Sequence, residues 1–415
     1  MSERRFQLSY PWVVVGILWG ISLLNYLDRL LIASMRDPIK ASIPMTDAQF
    51  GLLTTIFLFV YGVLSPLGGY FADRYSRKLV IVGSLFVWSA VTLWTGFVRS
   101  YPEMLAARAA MGISEACYMP AAVALVIDYH RGRTRSLASG ILMSGLYAGM
   151  ALGGTGGYIA EGWGWRAGFH LFGFLGLAYG VFAFLALRDA PKISKGAVGS
   201  GTNAVVEDSS RLSVVELLRG LFSSFSYWLI LIYGILLGIT FWLIYAWLPT
   251  YFREGFELSL GAAGVSATAY IQVASLAGVL LGGAVADRWS RKTVRGRLYV
   301  PAIGFMVGGP FLLLMATTKV LAVAIVGITV FGLAKGFHDA NFMPIISQVV
   351  EKRYRATAYG VMSFFSVGAG GLMIYVWGAL KDAGLSLGLA FVMSAFGVLI
   401  SAFLLLGIRP RAEAE

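Results

Sequence analysis

The sequence predicts an all-α integral membrane protein with twelve transmembrane helices arranged as two six-helix bundles. Three observations carry that expectation. Apolar residues make up 58% of the 415-residue chain and charged residues only 13%, whereas a soluble domain has roughly 45–50% apolar and about 25% charged. Uncharged runs such as Trp12–Leu24 and Ile81–Val98 recur along the chain, and a helix needs about 20 such residues to cross a bilayer. The chain also repeats itself: GGYFADRYSRK (Gly68–Lys78) returns 214 residues later as GGAVADRWSRK (Gly282–Lys292), identical at eight of eleven positions. The alternating, strand-sized segments of a membrane barrel are absent from the sequence.

Taken in order, the apolar runs place spans at 12–33, 48–71, 79–98, 102–127, 136–160, 166–187, 227–251, 260–285, 298–317, 320–347, 356–380 and 386–408. The net charge of +12 would suggest nucleic acid as a partner in a soluble protein, but these charges have another address. The tail, the even-numbered turns and the C-terminus hold 23 Lys/Arg against 7 in the odd-numbered turns when Arg166, at the very start of span six, is counted with them, and Arg29, Arg108 and Lys335 lie inside spans. That excess predicts both termini in the cytoplasm and leaves no case for a nucleic-acid partner. The residues ahead of the first span are too few, and the run after them too long, for a cleaved signal peptide. Cys117 is the single cysteine, so no internal disulfide can form, and three scattered histidines give a metal site no support.

The domains expected are a six-helix bundle over 1–190, a cytoplasmic linker over 191–226 and a second bundle over 227–415. The linker carries KISKGAVGSGTNAVVEDSS, a flexible Gly/Ser-rich composition. After it, Ser213 and Glu216 have the form of a capping box opening a short interfacial helix with Leu217, Leu218, Leu221 and Phe222 on one face. A second repeat, GISEACYMP (Gly112–Pro120) against GFHDANFMP (Gly336–Pro344), keeps the same register and topology in spans four and ten. Such repeats imply two parallel bundles related by an axis along the membrane normal, with a site near the midplane between them.

Ionisable groups inside spans are costly and normally face an interior cavity. In span one Asn25, Asp28 and Arg29 stand at i, i+3 and i+4, on one helical face, and in span four Arg108 and Glu115 are seven residues apart, again on one face. One reading is a salt-bridge cluster that only holds helices together, although such pairs stabilise poorly beside apolar packing. The functional reading uses their chemistry. Apolar surroundings favour a carboxyl's neutral form and a nearby guanidinium its charged form, so a change in helix packing can load and unload a proton. Arginine keeps its charge and grips a carboxylate with two hydrogen bonds. The natural division puts Arg29 on an anionic substrate, with Asp28 and Glu115 handling a proton. Span five offers glycines at Gly145, Gly149, Gly153 and Gly157 for close helix contact. In span seven Tyr233, Trp242, Tyr245 and Trp247 read first as lipid-facing or belt residues, with Tyr233 a candidate for the cavity wall. In span ten Lys335, His338 and Asp339 stand at i, i+3 and i+4. Lys335 and Asp339 can simply pair along the helix; alternatively His338 and Asp339 form a second titrating centre, histidine being the side chain that ordinarily titrates near neutrality.

The turn Gly69–Lys78, its copy at Gly283–Lys292, twelve spans, a central loop and Arg108 followed by Gly112 together resemble the major facilitator superfamily over the whole chain. Within it, NYLDR (Asn25–Arg29), SEACYMPA (Ser114–Ala121) and WLPTYF (Trp247–Phe252) are similar to the anion:cation symporter family, and spinster-like lipid transporters share the first of these. The resemblance implies substrate contact at Arg29 and Asn25 and proton coupling at Asp28 and Glu115, with Arg108 matching the helix-four arginine. It also implies a conformational latch at Gly69, Asp73, Arg74 and Arg77 and at Gly283, Asp287, Arg288 and Arg291, engaging helix five or eleven while the cytoplasmic side is closed. Orientation alone would explain the basic residues of these turns, but not their aspartates. Met150 stands where the superfamily's antiporters carry a proline, which leans against exchange.

The function expected is proton-coupled symport of a small organic anion, a sugar acid or other carboxylate, by alternating access, in a bacterial inner membrane and as a monomer. The partners are then the anion, a proton and the bilayer, with no cofactor and no metal. The alternatives are a spinster-like exporter of a lysolipid or amphiphile, or an anion exchanger. A membrane enzyme would need a nucleophile–base or metal constellation, and none is visible in the sequence.

Overall fold

The computed structural model describes the backbone of residues 2–130, 134–190, 219–351 and 354–410, and the side chains of these except 2–9, 73 and 356. Among the described residues, twelve helices are long and apolar enough to cross a membrane: Tyr10–Ser34, Asp47–Ala72, Arg77–Thr95, Tyr101–Tyr129, Arg135–Trp163, Trp165–Ala186, Phe225–Phe256, Leu260–Ser290, Gly296–Thr317, Leu321–Val349, Thr357–Asp382 and Leu387–Gly407. They are called spans one to twelve in that order, and none ends more than five residues from its expected place. The largest extensions are in spans seven and eight, where the helix continues past its apolar run into Arg253 and Glu254 or through Asp287 and Arg288. Hydrogen bonding carries a helix on after its hydrophobicity has ended. The expected capping box at Ser213 and Glu216, and most of the linker, lie outside the described residues.

Local sequence explains most helix starts. Ser76, Ser100 and Ser259 accept hydrogen bonds from backbone N–H groups at the starts of spans three, four and eight, which satisfies donors left free in a first turn. Span two opens with a reciprocal capping box: Gln49 N–H donates to Thr46 Oγ1 at 3.1 Å and Thr46 N–H to Gln49 Oε1 at 2.9 Å. A short helix, Arg36–Ser42, fills the first turn and was not expected. Span four is interrupted between Tyr101–Glu115 and Tyr118–Tyr129; Pro120 cannot donate to the Ala116 carbonyl, so the ladder loses a rung there. Glu115 is the last residue before that interruption.

The two halves pack alike. Span one lies on five as seven lies on eleven, two on four as eight on ten, and three on six as nine on twelve. The glycines of span five do what their spacing promised: a Cβ at Gly145 or Gly149 would run into the backbone of Trp19 or Leu23 in span one, and one at Gly157 into Leu260 of span eight. Two seams join the halves, span two against eleven and span five against eight.

Among the described residues, the seams are tight on the side away from the termini. There a Cβ at Gly378 would lie 2.4 Å from the Asp47 carbonyl oxygen, and one at Gly154 2.2 Å from that of Gly264. Toward the termini, Gly62, Gly69, Gly360 and Gly368 meet nothing within 4 Å. An apolar cleft of about 830 Å³ separates spans two and eleven there, between Gly62, Val63 and Pro66 on one wall and Phe364, Phe365 and Val367 on the other. The structure is closed at one face and parted at the other.

Candidate functional site

A cavity of about 390 Å³ lies between the halves, walled by spans one, five, seven, eight, ten and eleven. Arg29 projects into it from span one, and Lys335 and Asp339 face it from span ten.

On the first wall, Arg29 Nε donates to Glu115 Oε2 at 2.6 Å, joining span one to span four at the interruption. Both side chains are buried. The guanidinium also lies over the rings of Tyr26 and Tyr61, each 4.5 Å away, and of Phe57 at 5.1 Å. Aromatic faces attract a cation while excluding water, so they keep the Arg29–Glu115 pair in surroundings where charge is strongly felt. The second Glu115 oxygen has no hydrogen-bond partner among the described residues, and neither has the amide of Asn25.

The four-charge cluster expected here is only half assembled. Asp28 turns away from the cavity, taking a hydrogen bond from Thr92 of span three at 3.2 Å and leaving its other oxygen without one. Arg108 sits fully buried over Phe57, with its Nε directed at the Leu53 carbonyl and one terminal nitrogen unsatisfied. Helical spacing put these groups on inner faces. The rotation of span one then sent Arg29 toward the halves' interface and Asp28 into its own bundle.

On the opposite wall, Lys335 donates to Asp339 Oδ2 at 2.5 Å, the intrahelical pair that the spacing allowed. The Tyr147 hydroxyl, from the other half, donates to the same oxygen at 2.7 Å. His338 points behind the cavity wall, hydrogen-bonded to Tyr233 and surrounded by Phe241, Phe305 and Phe342. Tyr233 is therefore a buried partner of His338, fully enclosed, and does not line the cavity as expected. Trp242 and Tyr245 do line it, although both were expected in the aromatic belt. Tyr26, Tyr61 and Tyr147 were not singled out from the sequence either. The signal available for Tyr26 was its spacing three residues before Arg29; nothing local marks Tyr61 or Tyr147, which reach their partners from other helices.

The repeated turns hold each half to itself. Arg77 pairs with Asp128 and donates to the Ala124 carbonyl at 2.8 Å, and Arg297 pairs with Asp287 at 2.6 Å. Arg74, Arg288 and Arg291 are exposed, and the side chain of Asp73 lies outside the described residues. Close packing falls on the first glycine of each pair: a Cβ at Gly68 would meet the Ala116 carbonyl at 2.3 Å and one at Gly282 the Phe337 Cα at 2.7 Å. Gly69 and Gly283 look into open space or ordinary contact.

The face away from the termini carries a network that sequence reading did not anticipate. Arg253 of the second half pairs with Asp37 of the first at 3.0 Å, Arg36 with Glu254 at 3.6 Å and Lys381 with Asp47 at 3.4 Å. Two carboxylates cap helix N-termini across the seams. Asp382, ending span eleven, accepts from the N–H groups of Asp47 and Ala48 at 2.8 Å each, and Glu161 of span five accepts from Leu260 N–H at the start of span eight. Among the described residues there is no cluster of three or more His, Cys, Asp or Glu that could hold a metal ion.

Comparison with known proteins places this architecture. The chain is 26% identical over 409 residues to a probable L-galactonate transporter of Escherichia coli (strain K12), covering 94% of this chain and 88% of that one. It is 25% identical over 407 residues to a probable sulfoacetate transporter of Cupriavidus necator, covering 96% and 94%. Human protein spinster homolog 1 is 32% identical over 186 residues, 43% of this chain and 35% of that protein. In structure, the chain superposes with a TM-score of 0.79 and 19% identity on a bacterial homolog of the human lysosomal transporter spinster, in its inward-facing and occupied conformation, over 98% and 99% of the two chains. The family model described as Major Facilitator Superfamily matches residues 18–375, and with the fold and the paired bundles in agreement, the chain belongs to that superfamily.

Proposed function

We propose that this transporter moves a small organic anion together with a proton by alternating access, and that Arg29 and Glu115 are the working pair. The carrying observation is that one cation and one carboxylate from neighbouring helices are paired, buried and ringed by aromatics at the wall of the cavity between the halves. While ionised, Glu115 occupies the donor that a substrate carboxylate would use. Once protonated it holds Arg29 less strongly, and the incoming anion takes its place; when the anion leaves, the proton is shed and the pair re-forms. Proton and substrate are coupled because both compete for one guanidinium. Asn25, with an unpartnered amide beside this pair, is a substrate contact; Asp28 and Arg108 set the field around Glu115, and Asp339 on the opposite wall with His338 behind it is a second centre. Relatives described as carrying galactonate and sulfoacetate support an organic acid as substrate.

The distribution of Lys and Arg supports termini in the cytoplasm of a bacterial inner membrane, which makes the parted face cytoplasmic and the described state inward-open. Asp287, held by Arg297 of its own half, is then a latch at rest until that face closes, and Asp73 is its counterpart in the first half. The protein acts as a monomer, each bundle serving as the other's partner.

The test is accumulation of labelled L-galactonate and sulfoacetate in proteoliposomes under an imposed pH gradient, with internal pH followed at the same time. Glu115→Gln should abolish gradient-driven accumulation yet allow exchange at zero gradient; continued accumulation would remove Glu115 from the mechanism. Arg29→Lys should weaken anion binding thirty-fold or more, because losing a buried charged partner costs about 2–5 kcal/mol and lysine lacks the planar fork. A second reading, export of a lysolipid or similar amphiphile, draws on the apolar cleft between spans two and eleven. It predicts lysolipid movement that survives Arg29→Lys, and the same liposomes decide between the two.

A further inference from the structure

Asp339 is the repeat counterpart of Glu115: each stands three residues after the glycine that opens GISEACYMP or GFHDANFMP. Each is also the carboxylate of a cation–carboxylate pair facing one cavity, Glu115 with Arg29 and Asp339 with Lys335. Their surroundings match as well. Arg29 lies over Tyr26 and Tyr61, while Lys335 lies 5.1 Å from the ring of Tyr147 and 5.4 Å from that of Phe241. The proposal for Arg29 therefore has a second instance on the opposite wall, and we infer that Lys335 anchors a second anionic group, so that the cavity selects organic acids carrying an acidic function at both ends.

Three features carry this beyond symmetry. Lys335 is buried, and burying an ammonium is expensive unless it is used. An ammonium has three donors; Asp339 takes one from Lys335 and the Tyr245 hydroxyl stands against the ammonium as well, which leaves a donor for a ligand. Asp339 has a second donor in Tyr147. When an anion draws Lys335 away, that hydroxyl remains to satisfy the carboxylate, so the exchange leaves no orphaned charge. Glu115 has only the neutral Asn25 amide beside it, which makes no close hydrogen bond in this state, and its release from Arg29 calls for a proton instead. The two walls would thus bind the two ends of one substrate by different means. Tyr147 belongs to the first half and Asp339 to the second, so the carboxylate left by Lys335 stays held by a contact between the halves.

The inference rests on the anion reading of the Arg29 site, and the experiment separates their failures. Purified full-length protein is titrated with matched pairs of acids that differ only in the second acidic group: galactonate and galactarate, acetate and sulfoacetate, propionate and succinate. The dianion should bind about tenfold more tightly than its monoanionic partner in at least one pair, the amount one hydrogen bond to a charged group supplies. In Lys335→Gln/Asp339→Asn, where neither charge is left unpaired, that ratio should fall to near one. In Lys335→Arg it should persist. Unliganded melting temperatures establish that the variants are folded. Should every monoanion bind as well as its partner, or the ratio survive in the double variant, Lys335 is no anchor and the Arg29 reading stands alone. Should none of the acids bind to the unsubstituted protein, the anion reading fails and takes this inference with it.

Discussion

The two ends of the molecule are built from the same repeats and hold the halves in opposite ways. At the end bearing the termini, the repeated turns spend their charges within a half: Arg77 on Asp128, Arg297 on Asp287. At the far end the charges cross the seams, and Asp382 and Glu161 reach the first turns of helices belonging to the other half. A carboxylate at a helix N-terminus meets unpaired N–H groups and the positive end of the helix dipole. Such a contact needs close approach and vanishes with separation, so it favours one packing of the halves over another. The far end is a pair of caps in use, whereas among the described residues the charged pairs of the near-end turns, Arg77 with Asp128 and Asp287 with Arg297, stay within one half. The lesson is that a charge repeated in sequence marks a device, and only its surroundings say whether the device is engaged.

The comparison is most sharply broken by a methyl group. Gly378→Ala places a Cβ against the Asp47 carbonyl, whereas Gly368→Ala, on the same helix, meets nothing within 4 Å. Overpacking costs about 1–3 kcal/mol, so Gly378→Ala should widen the far end and Gly368→Ala should not. Spin labels at exposed Arg99 and Lys319, in a Cys117→Ser background, report that distance. Equal distance distributions for the two variants would mean that the far seam is not held closed by contact.

Next in size are the caps. Asp382→Asn and Glu161→Gln each remove a charged acceptor, for about 1 kcal/mol, or roughly a fivefold shift in population toward the far-open state. The two lie in different seams, so their effects should add in the double variant. Labelling of single cysteines placed on the far face measures the shift, and accessibility unchanged in the double variant would demote the caps to bystanders.

The smallest effect on the described state is expected at Asp287. Its pair with Arg297 is exposed and lies within one half, so Asp287→Asn should change stability by less than about 0.5 kcal/mol. Transport should nevertheless slow if, as proposed, Asp287 latches the halves in the state where the near end closes. Normal transport rates alongside an unchanged melting temperature would reduce that turn to a topological signal. Gly68→Ala against Gly69→Ala refines the same point: the first meets the Ala116 carbonyl at 2.3 Å and should lower the melting temperature, whereas the second faces open space and should act on transport alone.

Membership in a helical membrane class was written in the chain at the coarsest level. Twelve apolar runs have to become helices because lipid offers the backbone no hydrogen-bond partners, and span ends fell near the edges of those runs. Intrahelical spacing was equally dependable: Lys335 and Asp339, four apart, are paired. Spacing along one helix was less informative about neighbours. Asp28 and Arg29 adjoin in sequence yet serve different surroundings, the one facing Thr92 inside its bundle and the other facing the cavity.

Composition, repeats and charge placement thus settled the class, the twofold plan and the polar residues worth watching, since each depends on local hydrogen bonding and transfer free energy. Helix rotation and the approach of the halves settled the rest. They paired Arg29 with Glu115 and not with Asp28, hid Tyr233 behind His338, brought Tyr147 across to Asp339, and turned Asp382 and Glu161 into caps on helices of the other half. Those contacts join residues up to 335 positions apart. No periodicity encodes them, because each arises from the packing of whole helices, in which a single side chain contributes only a small part of the energy that sets the angle.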